Sequence, residues 1–399
     1  MQQKIIYLNN NDGTGILAFG EGPSCCLSGP DALDKLQKFI SEHTEKYIFG
    51  YLTYDLKNGI YDLESENQDG LNFPDLHFWV PAHVVKLFKE HVDFVQGTKD
   101  EETYDFVSSF LEEETDQNFH HYPFQFTPRI DKDTYLRKVE TLKGHIQRGD
   151  IYEINFCQEF YAEKVSLDFE LDTYFKLNKL TRAPFSAYLH LGDHIAFCGS
   201  PERFLKKEGS RLLSQPIKGT APRGRNEEED NALKESLRSD EKERSENIMI
   251  VDLVRNDLSK VAEMDSVEVD ELCGIYSFET VHQMISTVSC TVNEKTTFTE
   301  MIKATFPMGS MTGAPKLRAM QLIEEHESFQ RGLYSGSIGY IDPKGDFDFN
   351  VVIRSLLYNH STGYLSCAVG SAITIKSVPE KEYDECMVKV QRILQGMNE

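Results

Sequence analysis

Lys218 stands in Gln215-Pro-Ile-Lys-Gly-Thr220, an amine framed by a proline and a glycine and followed, twenty-five residues on, by Glu243. A free lysine with a pKa of ~10.4 is about a thousandfold short of neutral amine in neutral solution, a handicap of roughly 4 kcal/mol, so a nucleophilic lysine needs burial or a neighbouring cation. Glu243 and Glu246 lie three apart on a helix predicted from Glu227 to Ile250, and Glu382 and Glu385 lie three apart on another from about Pro379 to Leu394. Residues three apart share a helix face, so each helix can aim two carboxylates at one point. Four carboxylates around one small volume suit a hard divalent ion such as Mg²⁺. The same spacing also describes two solvated faces of an acidic protein. A metal held by the glutamates would be the cation that lowers the basicity of Lys218.

Two further features could meet an anion. Pro307-Met-Gly-Ser-Met-Thr-Gly-Ala-Pro-Lys316 is a glycine-rich turn ahead of a helix, but Ala314 and Pro315 intervene before the lysine, so it is not a Walker phosphate loop. Its exposed amides, like those of Val369-Gly-Ser-Ala372, suit a carboxylate. Arg354 falls inside an apolar strand predicted over Phe349 to Tyr358, where a buried guanidinium requires an anion, either an internal Asp or Glu or a ligand carboxylate.

The elements that must position these groups are mixed. Short strands (Ile48 to Tyr54, Leu76 to Val80, His83 to Phe88) fill the first hundred residues. An acidic stretch from Lys99 to Asn118 follows, then Pro123 and Pro128, a junction between an N-terminal lobe and the remainder. A helix is predicted from Asp131 through Gln147, with Tyr135, Val139, Leu142 and Ile146 on one face and Gly149 ending it. Strands in runs, rather than in strict alternation with helices, predict an α+β fold. The chain of 399 residues can bury a substantial core. Its 42 Lys and Arg against 65 Asp and Glu, a net charge of −23, oppose nucleic acid and anionic membranes. No apolar run is long enough to span a bilayer, no secretory signal opens the chain, and eight cysteines without a C-x-x-C pair read as reduced thiols. A cytoplasmic location is the expectation.

Four segments in order, Gln215 to Arg223, Arg244 to Asp257, Gly309 to Lys316 and Gly336-Ser-Ile-Gly-Tyr340, resemble the chorismate-utilising enzymes. Within that family they are most similar to the aminodeoxychorismate synthase branch, which carries lysine where anthranilate synthases have alanine. The resemblance implies two packed antiparallel β-sheets with helices on the outside and an active site in the cleft between lobes. Residues 1–120 would form a short N-terminal lobe of the same sandwich, and 121–399 the chorismate-binding region. It further implies Mg²⁺ on Glu246 and Glu385, supported by Glu243 and Glu382. Arg354 and Tyr340 would grip the enolpyruvyl carboxylate of chorismate. Gly370, Ser371, Ala372 and Thr312 would lie against substrate, with Lys389 near the ring carboxylate. Lys218 would add to ring carbon 2 as hydroxide leaves carbon 4, Glu202 in Ser200-Pro-Glu-Arg-Phe204 would serve as acid and base, and ammonia would then take carbon 4.

Three departures qualify the resemblance. Glu153 replaces the Gln usual in ammonia users and the Lys of water users, which disfavours water addition. Gln283 replaces a His tied to pyruvate loss in the anthranilate branch. The Leu63-Glu-Ser65 triplet follows the Tyr-Asp-Leu segment, unlike a tryptophan-binding signature. No cysteine stands in a G-x-C-x-G elbow, so a separate glutamine amidotransferase subunit is the expected source of ammonia. The rival readings are an anthranilate synthase component I and a non-catalytic chorismate-binding subunit.

Overall fold

The computed structural model describes residues 4–115 and 124–398, so the expected boundary between residues 120 and 121 lies outside the described residues. Among these, strands form one eleven-stranded and one ten-stranded sheet, antiparallel at every pairing. The larger sheet runs from Gly313–Ala314 and Glu153–Ala162 through Tyr364–Ile373, Ser355–Asn359 and His194–Ser200 to the N-terminal hairpins. The smaller sheet begins at Ile217–Pro222 and Val281–Thr291 and ends on Ile48–Leu52, Leu76–Trp79 and Ser24–Leu27. The first hundred residues thus contribute strands to both layers.

Side-chain alternation decides what each face meets. On Phe185–Leu191, Ala187, Leu189 and Leu191 enter the core between the sheets, while Tyr188 points into a second core beneath the helices. Both faces are buried, so the strand reads as a continuous apolar run rather than an alternating one. Each large apolar side chain so buried contributes roughly 1.5–3 kcal/mol. Helices Glu101–Thr115, Lys132–Arg148, Glu170–Thr181 and Pro379–Asn398 close the outer core with Phe110, Tyr135, Tyr174 and Val390. The Asp131 carboxylate accepts the Thr134 N–H at 2.7 Å to begin Lys132–Arg148, and Gly149 at φ 83° ends it. No helix among the described residues is long and apolar enough to cross a membrane. All eight cysteines are free.

Two sequence expectations change. The single helix predicted over Glu227 to Ile250 is two, Glu227–Ser239 and Glu241–Ser259. Asp240 turns extended (ψ 112°) and its carboxylate accepts the Glu243 N–H at 3.0 Å, starting a new helix. Similarly, the strand predicted over Phe349 to Tyr358 is broken: Phe347–Asn350 belongs to the smaller sheet and Ser355–Asn359 to the larger. The chain changes layer at Val351 to Arg354, and Arg354 adopts φ 52°. An arginine in that left-handed region costs about 1–3 kcal/mol, a strain that marks functional positions.

Candidate active site

Where the two sheets part near Tyr364–Ile373 and Ile217–Pro222, a cavity of ≈ 590 Å³ opens, walled further by Glu241–Ser259 and Pro379–Asn398. Lys218 reaches into it from the smaller sheet, and its Nζ lies 3.1 Å from Oε1 of Glu153 on the larger one, so this ion pair ties the layers together. Gly219 lets the strand pass close to the acids: at φ 86° it occupies a conformation that favours glycine, and a Cβ there would sit 3.1 Å from Glu243 Oε2. The lowered basicity expected of Lys218 rests on a bound cation; the side chains around it act the other way. Burial alone would lower the amine, but Glu153, with Glu246 and Glu202 behind it, outweighs burial and holds Lys218 above its ordinary value.

Glu202 follows Pro201 in the turn between His194–Ser200 and Arg203–Glu208. It is 4 % exposed, accepts a hydrogen bond from Ser310 Oγ at 2.6 Å, and is pushed up to about 7 by burial against the pull of Ser310, Lys218 and Arg354. Arg354 also lines the cavity, and none of the described carboxylates is in ion-pair contact with it. Burial and the neighbouring Arg392 bring it down to about 10, with Glu202 opposing. Of the two partners left open for this guanidinium, the internal one is missing.

Three of the four predicted acids, Glu243, Glu246 and Glu385, line the cavity. Glu246 is pushed up to about 7 by burial, and its Oε1 is buried without a hydrogen bond, although Lys242 Nζ stands 3.7 Å away. The donor set, carboxylates only with one oxygen unsatisfied, fits a hard divalent ion. Glu382, expected in a supporting place, does not line the cavity but lies behind it, accepting a hydrogen bond from Ser371 Oγ and facing Lys242 at 3.5 Å. Lys389 pairs with Glu385 at 2.6 Å and donates to the Gly370 carbonyl at 3.2 Å.

The predicted substrate contacts divide. Gly370 and Ala372 line the cavity, whereas strand alternation turns Ser371 away, onto Glu382. Thr312 is fully buried and bonds the carbonyls of Met308 and Gly309 at 3.3 and 3.2 Å, so it braces the glycine-rich turn instead of meeting ligand. Tyr340 is also corrected. It stacks on Phe49 with ring centroids 5.6 Å apart and borders a different hollow, and the tyrosine on the cavity wall is Tyr334. Lys316, in the same motif as Thr312, is spent internally on Asp257 and on the carbonyls of Thr305 and Pro307.

Gln283 reaches the cavity with both amide atoms buried and unpartnered, while the adjacent His282 points the other way and bonds Asp230 at 2.9 Å. Sequence reasoning passed over Ser310, Tyr334, Lys242 and Arg392. A faint signal existed for Lys242, four residues before Glu246 on one helix face, and for Tyr334, just ahead of the Gly336 segment.

Comparison with known proteins bears on what this cavity takes. Aminodeoxychorismate synthase of Streptomyces griseus is 41 % identical over 267 residues, covering 67 % of this chain and 36 % of that protein. Aminodeoxychorismate synthase component 1 of Escherichia coli (strain K12) is 38 % identical over 285 residues, 68 % of this chain and 62 % of that protein. The matched stretch is thus less than two thirds of either relative. Anthranilate synthase component I from Streptococcus pneumoniae TIGR4 superposes with a TM-score of 0.77 at 27 % identity, over 98 % of this chain and 90 % of that one. The family model for chorismate binding enzymes matches residues 10–395, and the chain belongs to that family.

Proposed function

We propose that this cleft replaces the ring hydroxyl of chorismate with an amine from ammonia, giving 4-amino-4-deoxychorismate on the route to p-aminobenzoate and folate. The observation that carries the reading is Lys218 lining the cavity together with an acid, Glu202, whose pKa of about 7 leaves it part protonated near neutrality. The naming of the Streptomyces griseus and Escherichia coli relatives supports the same chemistry. Arg354, without an internal partner, takes a carboxylate of the substrate beside Tyr334. The Gly370 and Ala372 backbone sits against the ring side. Lys218 adds to ring carbon 2, Glu202 protonates the departing hydroxyl, and ammonia enters carbon 4 as the lysine leaves. Glu246 and Glu385 would hold Mg²⁺, with Glu243 beside them and Glu382 steadying the group through Ser371. Bound there, the ion supplies positive charge that draws the ring carboxylate and offsets the acids. The protein would work as component I beside a glutamine amidotransferase subunit that supplies ammonia.

Product analysis by mass spectrometry, with chorismate, ammonium and Mg²⁺, tests the reading. Aminodeoxychorismate is the expected product. Fluorescent anthranilate with released pyruvate would move the assignment to the anthranilate branch, and intact chorismate would make this a binding subunit.

A further inference from the structure

Glu153 opens the strand Glu153–Ala162, is 1 % exposed, and is no part of the cavity wall; it meets Lys218 from behind. Its Oε2 is buried with no hydrogen-bond partner. Leaving one oxygen of a buried carboxylate unsatisfied costs free energy. The acids facing the lysine from the other elements are Glu202 from the turn after Ser200, Glu243 and Glu246 from Glu241–Ser259, and Glu385 from Pro379–Asn398. They act through space, with Lys242, Lys389 and Arg354 beside them, whereas Glu153 alone is in ion-pair contact with Nζ. Paired with that carboxylate at 3.1 Å, Lys218 rests as an ammonium ion without a free lone pair. It can add to a ring carbon only after its proton moves to an acceptor within hydrogen-bond reach, and geometry selects that acceptor before any titration does.

The geometry points to Glu153 as the base that takes the Lys218 proton when the amine adds to substrate and returns it when the amine leaves. This rests on the covalent reading above. In the forward step one N–H proton passes to Glu153 and the freed pair on Nζ forms the bond to ring carbon 2. The ring double bonds shift, the bond from carbon 4 to oxygen breaks, and the hydroxyl leaves as water with the Glu202 proton. In the second step ammonia bonds to carbon 4 and its extra proton goes to Glu202. The bond from carbon 2 to nitrogen breaks, and Lys218 recovers its proton from Glu153. The sum is chorismate plus ammonia to aminodeoxychorismate plus water, with both carboxyl groups restored.

The test uses the full chain with Mg²⁺ and compares the parent, E153Q, E153D and K218A. E153Q keeps a hydrogen-bond acceptor for Nζ but not the base. At pH ~7 its kcat is expected to fall about 10²-fold or more with the chorismate KM within about threefold, and the parent-to-E153Q ratio of kcat to shrink roughly tenfold per pH unit as Lys218 deprotonates unaided, Glu202 ionising equally in both. Acetic anhydride labelling of Lys218, followed by peptide mass spectrometry, is expected to run about tenfold faster at pH ~8 in E153Q than in the parent. E153D, which keeps a carboxylate at longer reach, is expected to fall between the two, and it carries the test should E153Q melt as an unfolded chain. An E153Q protein with kcat within about threefold of the parent, or with a loss that pH does not relieve and unchanged labelling, overturns the role of Glu153 alone. K218A turning over at the parent rate overturns the covalent reading and this proposal with it.

Discussion

Two hollows between the sheets can be compared among the described residues, and the larger is not the one that holds the candidate site. The hollow of ≈ 680 Å³ bordered by Tyr340 has most of its charges in pairs: Arg203 meets Asp348 at 2.9 and 3.0 Å, Lys207 meets Asp346 at 3.1 Å and Lys206 meets Glu208 at 2.6 Å. Among the described residues, the cavity of ≈ 590 Å³ leaves Arg354 without a carboxylate partner, Gln283 without a hydrogen-bond partner and one oxygen of Glu246 unsatisfied. Satisfied charges are structure; unsatisfied ones are a surface waiting for a ligand. Volume alone would have chosen the other hollow.

The strongest break in this contrast is Lys218→Ala. Amination is expected to fall about 10³-fold or more while chorismate still binds, measured by product formation and by equilibrium binding. Next come the two arginines, whose replacements are expected to have opposite signs in stability. Arg354→Met removes a buried guanidinium that has no carboxylate partner among the described residues, so the ligand-free protein melts higher while the chorismate KM rises about 10²-fold. Arg203→Met leaves Asp348 without its partner, so melting falls by the equivalent of about 1–3 kcal/mol while kcat stays near the parent value. Melting scans and steady-state kinetics on the pair decide it, and two shifts of the same sign would erase the distinction between the hollows.

A smaller effect is expected from pH. Glu202, at about 7, is mostly protonated at pH ~6 and mostly ionised at pH ~8, so a step that needs its proton slows about tenfold across that range. The same shift has a sign in stability. Its folded value lies above the ordinary 4.5, so the stability it contributes is complete below that value and lost as pH rises through about 7. Glu202→Gln is expected to abolish the alkaline decline in rate and to flatten the fall of melting temperature over the same interval. The smallest change is Gln283→His, expected to leave chorismate binding within about threefold and to add a trace of pyruvate release, seen with a coupled dehydrogenase.

Local signals carried far where local physics decides. Asp131, the apolar spacing of Tyr135, Val139 and Leu142, and Gly149 marked one helix almost to the residue. They failed where two readings share one composition. Glu227 to Ile250 is charged throughout, and only the Asp240 carboxylate turning onto the Glu243 N–H divides it. Phe349 to Tyr358 is apolar because both sheets cover it, which hides a change of layer. Of the acids, spacing alone put Glu382 level with Glu385, yet Ser371 draws the first behind the wall while the second faces the cavity.

By itself, the sequence determined which groups were available: a lysine in a Pro/Gly frame, two pairs of helical glutamates, an arginine in an apolar run and the ordered segments of a chorismate-binding family. Periodicity and capping act over a few residues and are written in the chain. Only the tertiary structure decided that Glu153 would stand 3.1 Å from Lys218, that Arg354 would find no carboxylate partner among the described residues, and that Tyr334 rather than Tyr340 would reach the cavity. Those outcomes depend on which strands of two sheets meet and which way each side chain points, and both follow from burial summed over the whole fold rather than from any local stretch.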